Sequence, residues 1–244
     1  MKAKPTQKDY RLLSEFRHLF ERKKFKHRIS NQGDQVALHL YEDLLSIGRS
    51  PRFTDSVLNR LDRVVNIQNR RRGVLARRGD ATFGQLIPGE TPVLAPGYRV
   101  ARGPVATIEI GVEVKILLKA MIKQIDRVIS DLGSQVLHFR RGGDRPICVG
   151  IVGVNHAESV TGYEGERPFP TTGKSGFLHP YQEAPEAEKR LMLNAAPQFD
   201  VFLILKFKAT NAGAYPFEWV NYDETRLDYA AALTRISALY QRTF

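Results

Sequence analysis

Apolar positions along this chain recur with two periods, and the periods predict its elements. In SEFRHLFERKKF, Phe16, Leu19 and Phe20 stand at helical spacing and predict a short helix or basic arm. The stretch VALHLYEDLL over 36–45 reads as a helix ending near Gly48 and Pro51. Thr54 or Asp55 can cap a further helix through SVLNRLDRVVNIQN, where Val57, Leu61, Val64, Val65 and Gln68 keep the helical period up to Gly73. From 79 the rhythm changes. Glycines and prolines divide short β-prone runs at about 81–87, 92–94 and 98–102, and Gly103-Pro104 turns the chain into ATIEIGVEVKIL, a strand over about 105–116. Leu118, Met121, Ile122, Ile125, Val128, Ile129 and Leu132 form one face of a helix over 117–132, with Gly133 as its expected stop. ICVGIVGV, 147–154, is an almost unbroken apolar run, as a strand covered on both faces requires. A loop rich in Gly and Pro over 161–185, a helix at about 185–195, a strand over 200–208 and a helix over 223–242 complete the order.

The strand–helix–strand unit over 105–154 implies a right-handed crossover and parallel pairing. The preceding short strands imply antiparallel pairing. The expected fold is therefore α/β, a mixed central β-sheet flanked by helices, with a basic N-terminal helical segment (1–50) and a main domain (51–244).

Charge adds a partner. Lys and Arg number 37 against 26 Asp and Glu, a formal net charge of +11. That imbalance suits a polyanion, nucleic acid before anionic membrane. The basic residues cluster at 20–28, at Arg70, Arg71 and Arg72, at Arg77 and Arg78, and around Arg140 and Arg141. No apolar run is long enough for a membrane helix, and MKAKPTQKDYRLL lacks the apolar core of a secretory signal. Cys148 alone excludes an intrachain disulfide framework and a cysteine-based zinc site. A cytoplasmic protein without membrane partners is expected.

The strand over 105–116 raises a chemical question. Alternation puts Ile108, Ile110, Val112, Val114 and Ile116 on one face and Glu109, Glu113 and Lys115 on the other. Charges buried together are costly unless they are paired or coordinated. Metal-dependent phosphodiester cleavage repays that cost: carboxylates hold Mg²⁺ through oxygen, the ion activates water, and a lysine orients that water or neutralises developing charge. The bland alternative is a cross-strand ion pair on a solvated face. Glu113-Val114-Lys115 at the end of a strand, followed by a helix and an apolar strand, resembles the PD-(D/E)xK nuclease superfamily of restriction-endonuclease-like fold. The order of elements over 54–154 is similar to that family's core. The resemblance implies Glu113 as metal ligand, Val114 as a carbonyl ligand, Lys115 as catalytic lysine and Mg²⁺, or Mn²⁺, as cofactor. It also implies an upstream acid, for which Glu90 in PGET and Asp80 in RGDA are both open. Glu109 stands about 13 Å of strand from Glu113, too far to share an ion. On this reading the chain is a DNA endonuclease, with a homodimer as one way to cut both strands. A non-catalytic nucleic-acid-binding protein or subunit of the same fold is the alternative, and RNA is not separated from DNA.

Other constellations carry less. Thr172-Gly-Lys-Ser175 resembles the tail of a phosphate-binding loop. Pro168 stands where that loop needs glycine and Pro180 interrupts the helix it needs, so no nucleotide cofactor is expected and Lys174 becomes a basic-loop contact to DNA. No histidine pair has zinc spacing, and no GxSxG elbow exists. His156 reads as a polar loop residue, Cys148 as core, Gln182 and Glu183 as helix capping, and Trp219 as packing under the last helix.

Overall fold

The computed structural model describes residues 9–25, 32–66, 81–141 and 145–244. In chain order the elements are α1 (Arg11–His18), α2 (Gln32–Ile47), α3 (Pro51–Leu58), β1 (Arg63–Asn66), β2 (Ala81–Gln85), β3 (Ile110–Leu117), α4 (Met121–Phe139) and β4 (Ile147–Asn155). A hairpin of β5 (Thr161–Glu164) and β6 (Arg167–Pro170) follows, then α5 (Pro180–Arg190), a π turn over Leu191–Ala195, β7 (Val201–Ala209), β8 (Phe217–Trp219) and α6 (Tyr222–Thr243). Among the described residues, six strands form one sheet in the order β1-β2-β3-β4-β7-β8. β1, β2 and β3 pair antiparallel, whereas β3, β4 and β7 pair parallel. The fold is α/β with a mixed central sheet between helices.

The parallel centre follows from apolar content. Every residue of β4 is buried. Val112, Val114, Ile151 and Leu205 face a core made with α1, α2 and α6, while Leu117, Cys148, Val152 and Val154 face one made with α4 and α5. Residues of α1 and α2, which belong to the 1–50 segment, share the first of these cores with the sheet.

The start of α1 is held from outside. Tyr10 gives it no side-chain cap, so the carboxylate of Asp43 in α2 accepts from Arg11 N (2.8 Å) and Leu12 N (3.0 Å), and from the Tyr229 hydroxyl of α6 (2.9 Å). Burial nevertheless pushes the Asp43 pKa up, because those three donors do not fully replace water. The adjacent Glu42 accepts from Arg99 N and Val100 N, each at 2.8 Å, and so pins the irregular segment before β3.

Several expected boundaries are corrected. The helix expected over 56–69, with Thr54 or Asp55 as its cap, ends at Leu58. Ser50 Oγ accepts from Phe53 N at 3.2 Å with Pro51 in the first turn, so the helix starts early; Leu61 then takes φ 52°, and Val64 and Val65 join β1 opposite Gly84 and Phe83. Gly133 does not stop α4. The helix continues to Phe139 because Leu132, Val136 and Phe139 keep its buried face, and a side chain at Gly133 would meet Gln198 Oε1 at 2.4 Å. The runs expected as strands at 92–94 and 98–102 make only isolated bridges, Val93 to Arg102 and Val65 to Arg102. The loop expected over 161–185 contains the β5–β6 hairpin and the start of α5.

Asn155 joins the C-terminal ends of the parallel strands. Fully buried, it donates to Leu118 O (3.1 Å) and Ala209 O (2.9 Å) and accepts from Ala157 N (3.1 Å) and Ala209 N (3.0 Å). Asn155→Ala leaves these backbone groups without their partner. It is expected to cost about 3 kcal/mol and to lower the melting temperature by roughly 6–12 °C, measured by thermal denaturation; a change below 2 °C refutes this role.

Candidate active site

β3 is an interior strand with neighbours on both edges, so its side chains are forced to one helical layer or the other. Gly111 lies under the Phe139 ring of α4, where a Cβ would approach within 2.5 Å, and Leu117 packs in the α4 core. Glu113 and Lys115 fall between them on that same face, while Val112 and Val114 turn to the opposite core. The Glu113 side chain is 7% exposed and that of Lys115 31%, and Lys115 Nζ stands 2.5 Å from Glu113 Oε1. A carboxylate is thus sunk into the protein with an ammonium at its outer side. The arrangement supplies a fixed negative centre, a partly solvated cation, and the backbone carbonyl of Val114 between them.

Glu109 does not join this group. It precedes β3, and its carboxylate takes Arg63 Nε of β1 and the Tyr240 hydroxyl of α6, each at 2.5 Å. The expectation that Glu109, Glu113 and Lys115 share one face is therefore corrected. The strand alternation starts only at Ile110, and the paired Glu109 is a structural link between β1 and the last helix.

The two upstream acids separate. Glu90 is exposed in a turn beyond β2, its N–H donating to Ile87 O. The register places Ala81 opposite Val112 and runs Ile87 toward Pro104, so roughly 20 Å of strand separate the Glu90 turn from the level of Glu113. The structure does not bring Glu90 to Glu113. Asp80 lies outside the described residues, as do Arg70, Arg71, Arg72, Arg77 and Arg78. Among the described residues no group of three His, Cys, Asp or Glu side chains could hold a metal ion. Arg140 and Arg141 are exposed just past the end of α4, and Arg140 approaches Asp200 at 3.7 Å. Lys174 is exposed on the loop after β6.

Sequence reasoning missed one buried polar group, Gln135, and left the partners of Glu183 and His156 unidentified. Gln135 of α4 is 4% exposed, one turn before Phe139 on the same helix face. One helical turn is about 5 Å and two strand residues about 7 Å, so α4 carries this amide back from Gly111 to the level of Glu113. Its signal was a glutamine where the helical period demands an apolar residue. Glu183 caps a helix, but not its own: its carboxylate accepts from Met121 N (3.0 Å) and Ile122 N (3.3 Å), because Ala120 at φ 51° offers α4 no cap. Gln182 completes the capping box of α5 with His179. His156, read as a polar loop residue, is paired: its Nε2 hydrogen-bonds Glu188 Oε1, and Lys206 Nζ reaches Glu188 Oε2 at 3.1 Å. Cys148 is core, its thiol pushed up to about 11 by burial, and Trp219 stacks on Phe16 at 5.6 Å.

Burial opposes ionisation of Glu188, but the bonds from His156 and Lys206 outweigh it and hold its pKa below 4.5. A depressed carboxylate pKa stabilises the fold above its unfolded value and loses that contribution as pH falls through the folded value. Glu188→Gln is expected to destabilise the protein by about 1–2 kcal/mol at neutral pH, and the gap from wild type should narrow below pH 4.5. Urea midpoints across that range measure it; a gap independent of pH contradicts the assignment.

Comparison of the chain with protein-family models gave no match. Comparison with curated proteins gave none either, and no solved structure matched. Among the described residues no helix is long and apolar enough to cross a membrane.

Proposed function

We propose that this chain is a metal-dependent nuclease that hydrolyses DNA phosphodiester bonds, with its centre on β3. The observation that carries the reading is the buried Glu113 carboxylate with Lys115 Nζ at 2.5 Å on an interior strand. A buried ion pair contributes little net stability over apolar packing. Its position is what a site needs, since interior strands hold side chains in fixed geometry while the lysine end reaches solvent. The element order supports the restriction-endonuclease-like core: a helix, three antiparallel strands, a crossover helix and a parallel strand, here α3, β1, β2, β3, α4 and β4.

The donor set decides how far a metal fits. Glu113 and the Val114 carbonyl are two hard oxygen donors, fewer than Mg²⁺ takes from protein and water together. Asp80 is the next residue before Ala81, whose partner is Val112, the neighbour of Glu113. The proposal therefore assigns Asp80, not Glu90, as the second carboxylate. Bound there, Mg²⁺ or Mn²⁺ would polarise water and offset phosphate charge. Lys115 orients that water and balances charge on the phosphate. Gln135 presents its amide at the same level from α4, and Arg140, Arg141 and Lys174 supply phosphate contacts at the surface.

One observation favours a non-catalytic nucleic-acid-binding protein instead: among the described residues no three metal-ligating side chains come together. Cleavage of supercoiled plasmid in Mg²⁺ or Mn²⁺ separates the readings. Glu113→Ala, Lys115→Ala and Asp80→Asn should each lower the rate by at least about 100-fold, with DNA binding nearly intact, and Glu90→Gln should cut as wild type does. Equal cleavage by Lys115→Ala rules out the assignment. Salt-sensitive binding without cleavage establishes the binding protein.

A further inference from the structure

Beyond the last residue of β3, a cavity of about 350 Å³ opens between the start of α4 and the β5–β6 hairpin with its following loop. Lys119, Lys123, Phe169, Thr171, Phe177 and Glu183 line it. The carboxylate of Glu183 already accepts the first two N–H groups of α4, so its charge is committed to the helix. The cations are less committed. The hydrogen bond described for Lys119 Nζ runs 3.5 Å to Phe169 O, the outer limit for such a bond. The amine stands where a side chain on Gly162 would be, 2.0 Å from that Cβ position, so the hairpin admits it only because residue 162 is glycine. Burial lowers the Lys119 pKa, with Glu164 opposing. Lys123 Nζ bonds Gly176 O at 3.1 Å and stands 5.9 Å over the Phe177 ring. Phe177 itself, one of the lining residues, is 60% exposed.

A half-enclosed cavity with two ammonium groups and an exposed aromatic ring has a defined complement: a planar ring carrying an anion. Its volume lies at the low end for small-ligand pockets, room for one nucleotide and not for a base pair. We infer that this cavity binds a single unpaired nucleotide of a nucleic-acid chain, its base stacked at Phe177 and its phosphate between Lys119 and Lys123. The inference rests on the nuclease reading only for its location. Lys119 lies four residues past Lys115, about 13 Å if the chain stayed extended, which is about four base steps of duplex. The captured nucleotide therefore lies within a few positions of the phosphate to be cut. The site would favour single-stranded or locally opened substrate.

The test separates this site from the catalytic one. A short single strand containing 5-iodouracil is bound to the full chain in EDTA, its affinity measured by anisotropy and its photo-crosslink located by mass spectrometry. Wild type should crosslink at Phe177 and bind the single strand more tightly than the paired duplex. Phe177→Ala, at an exposed position where folding is safe, should bind about tenfold more weakly and lose the crosslink, and Phe177→Trp should restore both. Lys119→Gln should reduce affinity and the dependence on salt. Unchanged affinity and crosslinking in Phe177→Ala overturns the inference, as does saturable binding of free nucleoside monophosphate with none of the strand. Wild type that crosslinks at Phe177 yet cuts no DNA supports the pocket and removes the nuclease reading. Wild type that cuts DNA while Phe177→Ala binds as tightly removes the pocket and keeps the nuclease.

Discussion

The rest of the architecture depends on the burial of the parallel pair β3–β4 on both faces. Two adjacent strands with no solvent side leave no inexpensive place for a charge. β4 meets the constraint with nine buried residues and no charged side chain. β3 does not, and the exception is Glu113 with Lys115. Everything that covers the pair answers to the same constraint: α4 crosses over one face, and α1, α2 and α6 close the other.

Polar groups in this interior connect elements distant in sequence. Asp43 caps a helix on a different segment, Glu183 does the same for α4, and Asn155 ties the ends of β3, β4 and β7. Each group takes backbone donors or acceptors that local sequence leaves unpaired, which makes the fold specific as well as stable. Glu109 joins distant elements through side chains instead, Arg63 of β1 and Tyr240 of α6, at the other end of β3. Glu113 pairs with Lys115 of its own strand, whose side chain is partly exposed. On the proposed function this partly solvated pair carries the chemistry, whereas Glu109, held between Arg63 and Tyr240, is structural.

On the proposed function, the pair within β3 and the cavity just beyond it would act on one substrate. Glu113 and Lys115 lie within the strand, and Lys119 and Lys123 surround the cavity beyond it. Cations in both regions, with an exposed aromatic ring beside one of them, would suit a linear polyanion, whose charge repeats along its length. The formal charge of +11 agrees with such a partner.

Sequence alone determined the strong elements. The apolar run of β4, the amphipathic face of α4, the closing helix and the position of Glu113 and Lys115 on one strand face were all legible, because burial on one or two faces writes a period into the chain. Where the period was imitated, it misled. Val57, Leu61, Val64 and Val65 keep helical spacing, yet a left-handed Leu61 and pairing with β2 make the second half a strand. Gly133 looked like a stop because its reason, room for Gln198, comes from a segment 65 residues away. The choice between the upstream acids was likewise closed to sequence. A turn after Gly103-Pro104 suggested proximity to Glu90, but the register set by Ala81 and Val112 carries Glu90 away along the strand. The Lys119 cavity and the Glu183 cap exist only once the β5–β6 hairpin and α5 fold back over the start of α4. Contacts between segments far apart in the chain leave no periodic trace, so only the tertiary structure could decide them.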